Sequence, residues 1–285
     1  MDEGFGARVR RLTRRGRRRG ATTRAPERPK SLDGPGVQSS YLHNGTQCLF
    51  VTVTGEGRAL FFAHGLFGTH TDAAWLTGIA DRYALIAPDL RGRGASQPAR
   101  AVAGHTFEAH AADALAILDY LRIDQAVVCG VSFGAAVAVA FALRHLERVA
   151  GLILIASAFG AAYDEMGEGD LDAYGDLAER IAAAGRDVVV EREVERTGSR
   201  RPRERWTQHD EASLVAFLRA VPLYRPFESI RDLASLTVPT LVVAGEDAIH
   251  TPELSAAYAT ALPDATEASG ARRDEALRSF LGSIG

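Results

Sequence analysis

Gly130-Val131-Ser132-Phe133-Gly134 decides how this chain reads. An apolar run, Ala126 to Val131, leads into it and has the length and β-branched content of a short buried strand. Ala135 to Leu143 follows and reads as a helix. A serine at such a strand-to-helix corner is pushed out of the backbone on a tight, strained turn. The flanking glycines fit because a Cβ at either position would collide with the neighbouring strand or helix. The hydroxyl then stands at a helix N-terminus, where N–H groups and the helix dipole favour negative charge. As a bare pattern GxSxG arises by chance; the strand before it and the helix after it give it meaning.

The same rhythm extends outward. Upstream, Tyr41 to His43 and Gln47 to Thr54 read as a β-hairpin with an Asn44-Gly45 turn. Arg58 to Ala63 is a strand ending in His64-Gly65-Leu66-Phe67-Gly68, Thr71 to Ala80 reads as a helix, and Tyr83 to Ala87 as a buried strand. A glycine- and arginine-rich loop, Asp89 to Ser96, comes next. Thr106 to Leu121 reads as a helix with Ala109, Ala112, Ala116, Ile117 and Tyr120 on one stripe and Asp113 off it. Downstream, Val149 to Ala156 is another strand. Alternation at this spacing means βαβ units and a mostly parallel sheet. Residues 158–226 break the rhythm: they are charged and helical, and read as a helical cap inserted over the sheet. Strand rhythm returns at Thr240 to Ala244, followed by Leu254 to Leu262 and a final helix, Arg273 to Ile284, with Leu277, Phe280, Leu281 and Ile284 on one face.

A chain of 285 residues fits one large domain with an insertion. Its net charge of −3 hides an asymmetry, since residues 1–30 carry ten arginines and Lys30 against Asp2, Glu3 and Glu27. That leaves an acidic body, which argues against nucleic-acid binding by the folded part. Residues 1–36 are read as a disordered basic tail; the alternatives are an acidic-surface tether or a start placed too far upstream. The tail lacks the apolar stretch that an export signal needs after its arginines. Cys48 and Cys129 read as buried thiols rather than a disulfide or metal pair. No run approaches the ~18 apolar residues of a membrane helix, so the expectation is a cytoplasmic protein that acts on a small molecule, away from membranes. No metal cluster or phosphate loop stands out, and no cofactor is expected.

With these pieces in place the chain resembles the α/β-hydrolase superfamily over residues 40–285: a capped serine esterase or lactonase with a mostly parallel, doubly wound sheet. His64-Gly65-Leu66 is similar to the family's oxyanion loop, Asp89 to Ser96 to its DxRGxGxS loop, and Gly245-Glu246-Asp247 to the turn that carries the acid. The resemblance implies that Ser132 attacks a carbonyl carbon and that the backbone N–H groups of Leu66 and Phe133 hold the oxyanion. It gives His64 and the Asp89 loop structural roles. Phe67, Trp75, Phe133 and Phe159 are either an apolar pocket wall or core.

The chain departs from the family in two places. The usual acid position is Ala248, and Asp247 comes one residue early; some relatives place the acid five residues before a proline, as Asp247 stands to Pro252. The family histidine, carried after the last strand, is absent: Ala265 to Arg273 holds none, as though the histidine loop and part of its strand had been deleted. His250, just after the acid loop, reads either as a substitute base or as a loop histidine that faces solvent; His209, His105, His110 and His145 are weaker candidates and read as surface or satisfied helix residues. Three readings follow: a serine hydrolase of a small carboxylic ester, lactone or thioester; a pseudo-hydrolase that binds an apolar ligand or uses its pocket for non-hydrolytic chemistry; and a damaged member of a catalytic family.

Overall fold

The computed structural model describes residues 36–78, 82–157, 168–247 and 249–284. The basic tail, Phe159 and most of the segment that opens the insertion lie outside them. The strands are β1 (Gln38–Asn44), β2 (Gln47–Thr54), β3 (Arg58–Ala63), β4 (Tyr83–Pro88), β5 (Ala126–Val131), β6 (Val149–Ile155), β7 (Thr240–Val243) and β8 (Ala265–Ala268). They form one sheet in the order β1-β2-β4-β3-β5-β6-β7-β8. The first hairpin and the β2–β4 pair are antiparallel, and every other pairing is parallel.

Period-two alternation splits the strand residues between two apolar layers. Phe61 and Ala63 of β3 face one layer, with Val128 of β5 and the helices α1 (Phe107–Leu121) and α2 (Phe133–Arg144). Leu60 and Phe62 face the other, with Val127, Cys129 and the final helix. The α2 helix is buried continuously from Phe133 to Ala142, as its near-uniform apolar sequence requires. The sheet thus holds the end of β5, and Ser132 with it, at the centre of its carboxyl edge, where open α/β sheets bind ligands.

Between β6 and β7 come α3 (Glu168–Ala184), α4 (Arg186–Thr197), α5 (Arg201–Trp206) and α6 (Glu211–Ala220). They share a small core of Ala178, Ile181, Val189, Leu214, Val215 and Leu218, against which Leu66 and Phe67 also pack. The chain closes with α7 (Pro252–Ala261) and α8 (Arg273–Ser283), the latter burying Leu277, Phe280 and Leu281.

Several local readings change. The hairpin turn is Gly45-Thr46, because Asn44 pairs with Gln47 and only Gly45 takes a positive φ, of 59°. The helix expected from Thr71 is a 3-10 helix, His70–Leu76, whose buried Ala73 and Leu76 are spaced at that helix's three-residue period. The buried stripe of α1 is Phe107, His110, Ala111, Ala114, Ile117 and Leu118 rather than the alanine stripe, and Ala112 is exposed. Asp113, read as outward, is buried on that stripe, because Arg91 donates to both its carboxylate oxygens at 2.7 Å. Ala265–Ala268 has little intrinsic β preference, yet it forms β8 because the edge of β7 pairs with all four of its residues. Cys129 is buried and Cys48 half-buried; both are free thiols.

Candidate active site

Ser132 has φ 54° and ψ −118°, a combination that non-glycine residues rarely adopt. Its N–H donates to the Ile155 carbonyl at 2.9 Å, and its carbonyl accepts from Ala135 at 2.9 Å. These two bonds pin the strained residue between β6 and α2. A Cβ on Gly130 would lie 2.1 Å from the Gly134 carbonyl oxygen, and one on Gly134 would lie 2.0 Å from that of Ala63. Both glycines are therefore required by close backbone approach.

Facing the serine is the loop after β7. The Asp247 carboxylate accepts from the backbone N–H groups of Ile249, at 3.0 Å, and His250, at 2.8 Å. This Asx-type turn folds the loop back over the strand end. Gly245 makes room for it, since a Cβ there would fall 2.3 Å from the His250 Cβ. The imidazole is gripped from both sides. Its Nδ1 lies 2.7 and 2.9 Å from the two Asp247 oxygens, and its Nε2 lies 2.8 Å from Ser132 Oγ. A carboxylate can only accept, so Nδ1 carries the proton and Nε2 is left to accept from the serine hydroxyl. Burial acts to raise the Asp247 carboxyl; hydrogen bonds from the His250 ring and backbone outweigh it and hold the carboxyl below its usual range. The Asp247 side chain is nevertheless 65% exposed, against 16% for His250.

The loop after β3 passes beside the serine. Gly65 lies so close that a Cβ on it would be 3.8 Å from the Ser132 Cβ. His64 is fully buried beneath this loop. Its Nδ1–H donates to the Gly65 carbonyl at 2.8 Å, and its Nε2 accepts from Leu90 N–H at 3.0 Å. Burial lowers its pKa to about 3, so it is neutral. Arg93 donates to the Leu66 carbonyl at 3.1 Å and stacks 3.5 Å above the Phe217 ring. Asp89 is fully buried and accepts from His70 N–H at 2.6 Å and Ala95 N–H at 2.7 Å. His209, from the insertion, donates through Nε2 to the Phe67 carbonyl and accepts at Nδ1 from Gly94 N–H, each at 3.2 Å. The remaining candidate histidines are engaged elsewhere. His105 donates to the Ala99 carbonyl at 2.7 Å, His110 is buried against Phe133, and His145 lies beyond the far end of α2.

A cavity of about 870 Å³ opens over Ser132 and His250. Its apolar lining includes Phe62, Phe67, Trp75 and Trp206, with Phe67 and Trp206 stacked at 5.1 Å. Of the aromatic residues weighed from sequence, Phe67 and Trp75 are wall, whereas Phe133 is core, packed on Phe107 and Phe217. The sequence reading missed the polar lining: Asp72, Arg201, Arg205 and Arg273. Arg201 and Arg205 lie in a dense charge run that reads as solvated surface, so no local signal marks them.

Among the described residues, no cluster of His, Cys, Asp and Glu could hold a metal ion, and no helix is long and apolar enough to cross a membrane.

Residues 60–275 match the model of the alpha/beta hydrolase family. The chain is 33% identical over 142 residues to the 2-hydroxymuconate semialdehyde hydrolase of Pseudomonas sp. strain CF600, a match spanning 48% of this chain and 46% of that one. It is 28% identical to the non-heme haloperoxidase of Rhodococcus erythropolis, over 72% of this chain and 79% of that one. Among solved structures, a thermophilic esterase from Thermogutta terrifontis superposes with a TM-score of 0.71 at 25% identity, covering 87% of this chain and 99% of the esterase. The enol-lactonase of Burkholderia xenovorans superposes with a TM-score of 0.70 at 18% identity, covering 86% and 99%. With the family model spanning most of the sheet, its helices and the loop that meets Ser132, this chain belongs to the alpha/beta hydrolase family.

Proposed function

We propose that this protein is a serine hydrolase that cleaves a small carboxylic ester, lactone or thioester through an acyl-enzyme on Ser132. The observation that carries the reading is the continuous line from Ser132 Oγ through His250 to Asp247, with contacts of 2.8 and 2.7 Å. Both fall within the range expected of a nucleophile, its base and the group that orients the base. Ser132 Oγ bonds to the substrate carbonyl carbon while its proton passes to His250 Nε2. The carbonyl oxygen gains the charge and is held by the N–H groups of Leu66 and Phe133, each worth roughly 3 kcal/mol to such a transition state. Collapse expels the alcohol or thiol, which takes the proton from His250. Water, deprotonated by the same nitrogen, then releases the acid and restores the serine. Asp247 holds the Nδ1–H tautomer throughout and stabilises the imidazolium. The helices of the insertion serve as a cap over the cavity, and His64 and Arg93 hold the Leu66 loop in shape.

The pseudo-hydrolase reading rested on the want of a base, and His250 lies within reach of the serine. Treatment with a fluorophosphonate probe tests the proposal: the expected outcome is one adduct, on Ser132, lost in Ser132→Ala together with turnover of short-chain 4-nitrophenyl esters. A folded protein that is neither labelled nor active overturns it.

A further inference from the structure

The cavity beside Ser132 is cationic. Its lining includes Arg201, Arg205 and Arg273, and among the described residues only one acidic residue, Asp72, which pairs with Arg205 at 2.5 Å. Arg201 has no carboxylate partner among the described residues. Arg273 forms an ion pair with Asp274 through Nε, at 2.8 Å, and its Cζ stands over the Trp75 ring, 4.3 Å from the centroid. Its terminal NH2 groups have no further partner among the described residues. Neither arginine is placed to stabilise its own helix. Each is the first residue of one, α5 or α8, at the end where the helix dipole disfavours a cation. A solvated surface does not require two such placements converging on one concave, aromatic-walled space. The planar fork of a guanidinium matches a carboxylate, and the pairing strengthens where water is partly excluded.

We propose that this hydrolase selects esters or lactones that carry a free carboxylate, held by Arg201 and Arg273 while the scissile carbonyl lies at Ser132. The inference rests on the hydrolase reading for its chemistry, and on the cavity lining alone for its binding. Arg205, already neutralised by Asp72, serves as wall.

Two matched pairs of substrates test the proposal, with spontaneous hydrolysis subtracted. Mono-4-nitrophenyl glutarate is compared with 4-nitrophenyl pentanoate, which places the charge on the acyl side. Acetoxybenzoate is compared with its methyl ester, which places it on the alcohol side. In at least one pair the anionic member is expected to be favoured by about tenfold or more in kcat/KM, mostly through KM. Arg201→Met and Arg273→Met should each collapse that ratio, and Arg201→Lys should keep part of it. Ratios near one in both pairs, or ratios that neither Met variant changes, overturn the proposal. Calorimetry with glutarate separates this failure from that of the hydrolase reading. If Ser132 is not labelled and no ester turns over, saturable glutarate binding to the wild type that is lost in Arg201→Met still supports an anion-selective cavity. Absence of such binding overturns it.

Discussion

Ser132 sits in a backbone conformation that a side chain pays for, and its neighbours show why the chain tolerates it. Strain of this kind costs about 1–3 kcal/mol and survives only where surrounding contacts leave no alternative. Two glycines, one strand end and one helix start supply that constraint. A methyl group at position 134 meets the Ala63 carbonyl, a fixed strand oxygen that cannot rotate away. Gly134→Ala is therefore expected to destabilise the fold by about 3 kcal/mol or more, read as a lowered urea midpoint; an unchanged midpoint would show that β3 yields. At His250 the expectation is kinetic. His250→Ala should lower kcat by about 10⁴-fold with little change in stability. Asp247→Asn should cost less, about 10²- to 10³-fold, because its exposed carboxylate is screened by water. A smaller loss at His250 than at Asp247 would refute these assigned roles.

At the scale of elements, several side chains join the helical insertion to the rest of the fold: Ser213 bonds to Gly92 and Ala99, Arg100 pairs with Asp210, Arg205 pairs with Asp72, and His209 spans two loops. His209 reaches from the turn between α5 and α6 to the Phe67 carbonyl and the Gly94 N–H, and thereby ties the insertion to the loop after β3, which borders the serine, and to the loop after β4. His209→Leu leaves two backbone groups without their partner, at a cost of about 1–3 kcal/mol each if they stay buried. Hydrogen exchange in α5 and α6 should rise while that in β5 and α2 stays slow. Uniform protection would show that the Ser213, Arg100 and Arg205 contacts hold the insertion without it. The elements themselves were legible in the sequence wherever periodicity was strong. The bounds of β3 and β5 follow from their apolar runs, and the elbow from its glycines. The α1 stripe was misread because its buried face includes His110 and Asp113, whose burial depends on Arg91 and the packing of Phe133. β8 was nearly invisible, since four residues of weak preference are recruited by a neighbouring strand. Asp247 and His250 were legible as candidates, but their meeting was not: it depends on an Asx turn and on the clearance that Gly245 leaves. The cavity arginines lay beyond reach, because a charge run shows nothing about which of its members turn inward.

The whole molecule carries a built-in response to acid. His64, His105 and His209 have pKa values lowered to about 3, and that of His110 is pushed well below its usual value, in each case first by burial. In the unfolded chain the same groups protonate near pH 6.5. Between about pH 3 and 6.5 the unfolded state therefore binds more protons, so the stability is present above 6.5 and is lost as the pH falls. Each histidine costs up to about 1.4 kcal/mol per pH unit, and four together rival the whole margin of a typical domain. The urea midpoint at pH 5.5 should thus fall well below that at pH 7.5. His110→Phe should flatten the dependence, because both ring nitrogens of His110 lack hydrogen-bond partners among the described residues and the ring lies edge-on to Phe133. Equal midpoints at the two pH values would contradict this.

Asp247 and His250 are three positions apart on one turn. In the proposed mechanism, acid and base then behave as a single cassette: one hinge aligns both, and one disturbance silences both together. The final strand and helix are left outside the proton relay. Their sequence is free to drift in service of recognition, and a six-residue graft, Gly245 to His250, becomes the smallest unit by which the relay could be moved to a sheet that already presents a serine.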